Sequence, residues 1–70
     1  MDILQVNIEF NWVNKVLLSS KTEIHIEYSI NLFKNFMNKW RFDMTKDLKI
    51  TFNRDFSKNC LEHREKVLSL

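Results

Sequence analysis

Residues 4–12 read Leu-Gln-Val-Asn-Ile-Glu-Phe-Asn-Trp and place an apolar side chain at every second position. This alternation is typical of a strand that buries one face. The same period returns in residues 22–28, around Ile24 and Ile26, and in residues 48–52, around Ile50. The sequence therefore predicts three strands, each with one apolar and one polar face.

The period changes after Ile30. The next apolar residues fall on one arc of a helix that ends near Arg41 (Leu32, Phe33, Phe36, Met37, Trp40). Ser29 or Asn31 is positioned to cap this helix, and Ser57 to cap a second one that reaches Leu68. Residues 13–21 fit either a helix face or a strand face, and we interpret them as a hairpin connection.

The predicted order is β-β-α-β-α within one domain, residues 1–70. One-faced elements bury their apolar sides best in two layers. We therefore expect an α+β fold, with a three-stranded, largely antiparallel sheet and two helices on one of its faces.

The 70-residue length limits the core, which seldom supplies more than about 3–5 kcal/mol at this size. Cys60 is the only cysteine, so no disulfide forms within one chain. Its presence as a single thiol fits a reducing compartment. We expect a homodimer or a partner protein to add support.

The chain has no glycine, proline or alanine. Phosphate-binding loops, dinucleotide fingerprints, nucleophile elbows and EF-hand loops all need glycine, because their backbone turns sharply or approaches a ligand closely. The same absence removes the glycine motifs of common RNA-binding domains. We expect no cofactor and no enzymatic activity.

Two groups of residues could still carry chemistry. Cys60 and His63 are three apart on the last predicted helix, although a zinc site needs more ligands and a buried cysteine usually acts as a small apolar side chain. Glu23, His25 and Glu27 alternate along a predicted strand and would share a face. The simpler interpretation of this trio is a solvated strand face, so we expect no catalytic and no metal site.

The predicted helix around residues 32–41 has a basic, amide-rich outer face: Lys34, Asn35, Asn38, Lys39, Arg41. Basic stripes bind nucleic-acid phosphates, and a cationic amphipathic helix can also lie on a membrane. An ordinary solvated surface explains the same pattern. A nucleic-acid surface is the alternative function, built on the helix, the following loop and the third strand: Lys34, Lys39, Arg41, Lys46, Lys49, Arg54.

Arg64 falls within the apolar arc of the last helix, beside Leu61 and Leu68. An arginine there must form an ion pair, extend to solvent along its stem, or face a partner. With a partner on that arc, Arg64 would be a binding anchor between the two leucines.

The leading prediction is a non-catalytic protein-binding module whose partner contacts include Lys34, Asn38, Lys39, Arg41, Arg64, Leu61 and Leu68. The missing residues have GC-rich codons, which favours an AT-rich gene of a virus, a mobile element or an AT-rich bacterium. We take a phage or mobile-element protein as the leading case. Such a protein could inhibit a host factor, in the manner of anti-defence proteins, by masking a functional surface. No secretory leader or membrane span is apparent, so we expect a cytoplasmic protein, in the host cytosol if viral.

Overall fold

The computed structural model describes residues 3–69 and contains three helices: α1 (Ile3–Leu18), α2 (Glu23–Lys39) and α3 (Lys46–Leu68). The linkers are short, so consecutive helices run antiparallel. Together they form an elongated bundle with extents of 41 × 17 × 16 Å. No strand is present in residues 3–69, so the predicted α+β fold and its sheet are wrong.

Each of the three predicted strands lies inside a helix. Residues 4–12 belong to α1, residues 23–28 to α2 and residues 48–52 to α3. The predicted hairpin connection, residues 13–21, is wrong as well, because α1 continues through Leu18. The two predicted helices correspond to the C-terminal parts of α2 and α3.

A helix with apolar side chains on two opposite faces explains the alternation. Residues two apart are separated by about 200° around a helix, whereas residues four apart are separated by only about 40°. In α1, Val6 and Phe10 are buried, whereas Leu4 and Ile8 point to solvent. Every second residue is therefore apolar without any strand being formed.

Threonines begin the second and third helices. Thr22 Oγ1 accepts a hydrogen bond from the backbone N–H of His25, and Thr45 Oγ1 accepts one from that of Leu48. These are N-caps, which satisfy backbone donors in the first turn of a helix. The predicted caps at Ser29, Asn31 and Ser57 are wrong, because all three residues lie inside helices.

Five phenylalanines from all three helices form the centre of the core. Phe33 and Phe56 stack with centroids 4.2 Å apart, and Phe10 and Phe52 lie 4.3 Å apart. Phe36 contacts Phe10, Phe33 and Phe52. Each aromatic pair stabilises the fold by about 0.5–1.5 kcal/mol beyond the burial of its area. This cluster therefore links all three helices through stabilising ring contacts. The remaining buried apolar residues surround it: Val6, Val13, Leu17, Ile26, Met44.

Polar contacts fasten the α1–α2 linker. Ser20 is buried, and its Oγ lies 3.2 Å from Ser29 Oγ of α2. His63 of α3 donates from Nε2 to the carbonyl of Ser20.

No helix within residues 3–69 combines the length and the apolar character that crossing a membrane requires.

Candidate protein-binding surface

The side of α1 that faces away from the core is strongly apolar. Leu4 is 72% exposed, and Ile8, Trp12 and Leu18 are each more than half exposed. Helices on the surface of a single domain usually present polar residues on their outer side. On α1, both the inner and the outer sides are apolar, which is typical of a helix with neighbours on both sides.

The outward residues follow a heptad spacing. Steps of four, three, four and three residues separate the five positions that we call the outer seam: Leu4, Ile8, Asn11, Lys15, Leu18. The buried residues of α1 follow a similar spacing, with steps of four, three and four (Val6, Phe10, Val13, Leu17). A repeat of 3.5 residues keeps an apolar line facing one neighbouring helix. The inner line has its neighbours in α2 and α3, whereas none of the three helices covers the outer seam.

Charge is nearly absent from α1. Its only charged residues are Glu9 and Lys15. Glu9 lies on the flank of α1 that faces α2, where Oε1 accepts a hydrogen bond from Lys39 Nζ at 2.6 Å and Oε2 accepts one from Trp40 Nε1 at 2.7 Å. The hydrogen bonds from Lys39 and Trp40 hold the pKa of Glu9 below its ordinary value of 4.5. Lys15 is thus the single charge on the outer seam.

A shallow depression crosses the middle of the outer seam. Trp12 forms one side of it, and its volume is ≈ 380 Å³. Ile8, Asn11, Lys15 and Leu18 line the rest, together with Asn14. An exposed tryptophan beside an apolar depression is a common feature of protein contact surfaces.

Two of the predicted partner contacts, Lys34 and Leu61, come together in a groove between α2 and α3. The groove has a volume of ≈ 440 Å³, and Phe33, Phe56 and Cys60 also line it. It is open and largely apolar, and Lys34 is the only charged residue among those that line it.

Arg64 forms an ion pair with α2. Its Nε lies 2.9 Å from Glu23 Oε1, although the N–H is not aligned for a hydrogen bond. Both side chains are more than one third exposed, so the pair contributes little to stability. Of the three predicted alternatives for Arg64 (an ion pair, extension to solvent or a partner contact), the structure shows the ion pair. Leu68 is 67% exposed at the C-terminal end of α3.

The other predicted contacts lie towards the opposite end of α2. Lys39 is engaged with Glu9, and the Arg41 guanidinium lies 4.6 Å from the centroid of the exposed Phe42 ring. Asn38 is exposed on α2. About 24 Å of helix separates Lys39 from Glu23, the residue that pairs with Arg64. The seven predicted residues therefore do not form one surface.

The predicted nucleic-acid surface is also divided. Lys34 faces the groove towards α3, whereas Lys39 faces α1 through Glu9. Lys49 and Arg54 are both in α3, where Arg54 lies 3.5 Å from Asp55. These cations do not follow one continuous line along the bundle.

Of the two groups considered for chemistry, Cys60 and His63 lie on the last helix as predicted, whereas Glu23, His25 and Glu27 lie on a helix and not on a strand. His63 is bonded to the Ser20 carbonyl, while Cys60 lines the α2–α3 groove. His25 points away from Glu23 and Glu27, because two residues span about 200° on a helix. Across residues 3–69, no three candidate metal ligands cluster.

Sequence reasoning did not identify the outer seam. The signal was present, because residues 4, 8, 11, 15 and 18 have heptad spacing, but the alternation in residues 4–12 assigned Leu4, Ile8 and Phe10 to one strand face. On the helix, these alternating apolar residues divide into one buried line and one exposed line.

Comparison with protein-family models, curated proteins and solved structures finds no match to this chain.

Proposed function

We propose that this chain is a non-catalytic protein-binding module whose binding surface is the outer seam of α1 together with Trp12. One observation carries the proposal: four large apolar side chains on one helix face are each more than half exposed, with a single charge among them. Covering apolar area yields roughly 25 cal/mol per Å². An exposed apolar surface with polar residues at its edges is typical of an interaction site.

The heptad spacing supports a helical partner. A helix of another protein would place its own apolar residues between Leu4, Ile8 and Leu18. Asn11 and Lys15 interrupt the apolar line, and polar residues at such positions select register and partner at a cost in stability. The surface therefore suits a specific helix rather than any apolar segment.

The non-catalytic part of the proposal rests on how the reactive side chains are used. His63 holds the α1–α2 linker, and Glu23 pairs with Arg64. Glu9, the carboxyl group with a lowered pKa, is occupied by Lys39 and Trp40. Each of these groups has a structural partner, and we assign none of them to chemistry.

Masking is the mode of action that we propose. A bundle of this size covers a surface of its partner and blocks what that surface would otherwise bind. That the partner is a host factor and this chain a phage or mobile-element inhibitor stays a prediction from composition.

Affinity capture with matched variants tests the proposal. The tagged full chain, Ile8→Lys and Ile24→Lys would be used on lysate of the source cells, with and without nuclease, and bound proteins quantified by mass spectrometry. Ile24 is the control, because it is an equally apolar, 76% exposed residue that belongs to α2 and not to the outer seam of α1. We expect Ile8→Lys to lose at least tenfold of the bound partner and Ile24→Lys to retain it.

Two outcomes would contradict the proposal. Equal capture by the wild type and Ile8→Lys would show that the seam is not the binding surface. Loss of all bound material on nuclease treatment would favour the alternative, a nucleic-acid binder. Far-UV circular dichroism of both variants checks that the helices persist.

A further inference from the structure

The outer seam is nearly symmetric about its central residue. Leu4 lies seven residues before Asn11 and Leu18 seven after it, while Ile8 and Lys15 lie three before and four after. When the line is reversed, leucine faces leucine at both ends and asparagine faces asparagine at the centre, while Ile8 comes opposite Lys15. Such a line can pack against an antiparallel copy of itself across a twofold axis.

We infer that the outer seam binds a second copy of this chain, with the two α1 helices antiparallel and the twofold axis near Asn11. This inference rests on the proposed function, since it names a protein that the seam binds. Leu4 of each copy then lies opposite Leu18 of the other, and the two Trp12 rings flank the axis. A twofold contact is the commonest form of self-association, because each surface is used twice.

The polar seam residues are compatible with this pairing. An asparagine amide both donates and accepts hydrogen bonds, so two Asn11 side chains at the axis can satisfy each other. Lys15 can lay its aliphatic stem over Ile8 of the other copy and keep its ammonium group at the edge. The two Lys15 residues are separated by about 12 Å along the helix. Salt at physiological strength screens charges beyond about 8 Å.

The outer side of α3 offers a useful contrast. Ile50 and Leu68 are also exposed there, at positions compatible with a heptad line. Antiparallel pairing of that line would place Arg54 opposite Arg64 of the other copy. That contact would cover two arginines per chain together with their carboxylate partners, Asp55 and Glu23. The α1 line brings only Lys15 into the contact, so of these two lines it is the better suited to a copy of itself.

The available area sets the strength of the contact. The exposed apolar parts of the seam and Trp12 amount to on the order of 500 Å² per chain, below the roughly 800 Å² per partner of a standard stable interface. We therefore expect a dimer that dissociates in the micromolar range. Self-association would also supplement the limited core of a chain this short.

Sedimentation velocity of the full chain from 1 to 300 μM tests the inference. The wild type should shift from the mass of one 8.6 kDa chain to that of two across this range. Ile8→Lys should raise the dimer dissociation constant at least tenfold, because it places a charge in the apolar contact. Ile24→Lys should leave the constant within about twofold. A wild type that stays monomeric at 300 μM would overturn the inference, as would undiminished dimerisation of Ile8→Lys.

Disulfide trapping tests the geometry in a Cys60→Ser background. Asn11→Cys lies at the proposed axis and should form a disulfide between copies. Leu4→Cys alone should not, since two such residues would be about 21 Å apart along an antiparallel pair, beyond the reach of a disulfide. A mixture of Leu4→Cys and Leu18→Cys chains should cross-link. Efficient trapping by Leu4→Cys alone would contradict the antiparallel arrangement.

The two proposals can fail separately. If the wild type is monomeric at 300 μM while Ile8→Lys still loses a captured partner, the dimer is wrong and the protein-binding function stands. If the chain dimerises as described but captures nothing other than itself, the inference stands and the masking of another protein is wrong.

Discussion

The inner face and the outer seam of α1 have similar residue spacing but different surroundings. The inner face places Val6, Phe10, Val13 and Leu17 against α2 and α3, where all are buried. The outer seam repeats the spacing with Leu4, Ile8 and Leu18, and these remain exposed. The comparison shows that an apolar heptad line identifies a helix face that another helix can cover. Which face is covered within the chain depends on where α2 and α3 pack.

Replacing Phe10 by alanine should have the largest effect on folding. Phe10 contacts Phe33, Phe36 and Phe52, so truncation removes ring contacts with both other helices. We expect a loss of about 3–5 kcal/mol, comparable with the whole stability of a domain this size. Urea unfolding followed by circular dichroism measures it. A loss below about 1 kcal/mol would mean that the inner face is not the core.

Glu9→Ala tests the flank of α1 that faces α2. It removes the acceptor for Lys39 and Trp40, and we expect a loss of about 1–2 kcal/mol at neutral pH. Most of this should come from the Trp40 bond, because Lys39 is 59% exposed. Urea unfolding at pH 7 measures it, with Lys39→Ala as the milder control.

The same contact predicts a pH dependence. Because its hydrogen bonds lower the pKa of Glu9 in the folded state, their stabilisation is complete above the ordinary pKa of 4.5 and is lost as the pH falls through the lower, folded-state value. The stability difference between the wild type and Glu9→Ala should therefore shrink below pH 4.5. A difference that stays constant down to pH 2 would contradict this account.

Asn14→Ala tests the other flank of α1. The Asn14 side chain donates to the Phe10 carbonyl and accepts from Asn59 Nδ2 of α3 at 3.2 Å. We expect a loss of about 1 kcal/mol. A double-mutant cycle with Asn59→Ala should give a coupling of at least 0.5 kcal/mol, as expected for residues in contact. Simple additivity would show that the amide pair does not form.

Ile8→Ala should have the smallest effect, since Ile8 is on the outer seam. At 1 μM, where the chain should be monomeric, we expect a change within about 0.5 kcal/mol. At 300 μM the wild type should gain apparent thermal stability through self-association, whereas Ile8→Ala should gain less. A large loss at 1 μM would mean that Ile8 is packed within its own chain.

Much of the secondary structure was predicted wrongly for one reason. In residues 4–12, 22–28 and 48–52, alternating apolar residues were assigned to one strand face, but they divide between the two sides of a helix. Ile26 and Phe52 are buried, whereas Ile24 and Ile50 are exposed. Alternation over five to nine residues does not distinguish a half-buried strand from a helix with two apolar sides. The helical period after Ile30 was interpreted correctly, because there most apolar residues lie on one side.

In the candidate site, too, the sequence predicted unusual residues but not their contacts. The sequence marked Arg64 as unusual, and the structure shows that it pairs with Glu23, forty-one positions away. Lys39 likewise pairs with Glu9, thirty positions away. Local patterns do not contain such pairings, because the packing of the helices creates them.

By itself, the sequence determined which glycine-dependent motifs are absent from this chain. Without glycine it contains no motif that needs a freely turning or closely approached backbone, and with Cys60 alone it forms no internal disulfide. It also determined where apolar side chains stand along the chain. Only the tertiary structure decided which of them form the core, because α2 and α3 cover the line that contains Phe10 and leave the line that contains Leu4 and Ile8 exposed.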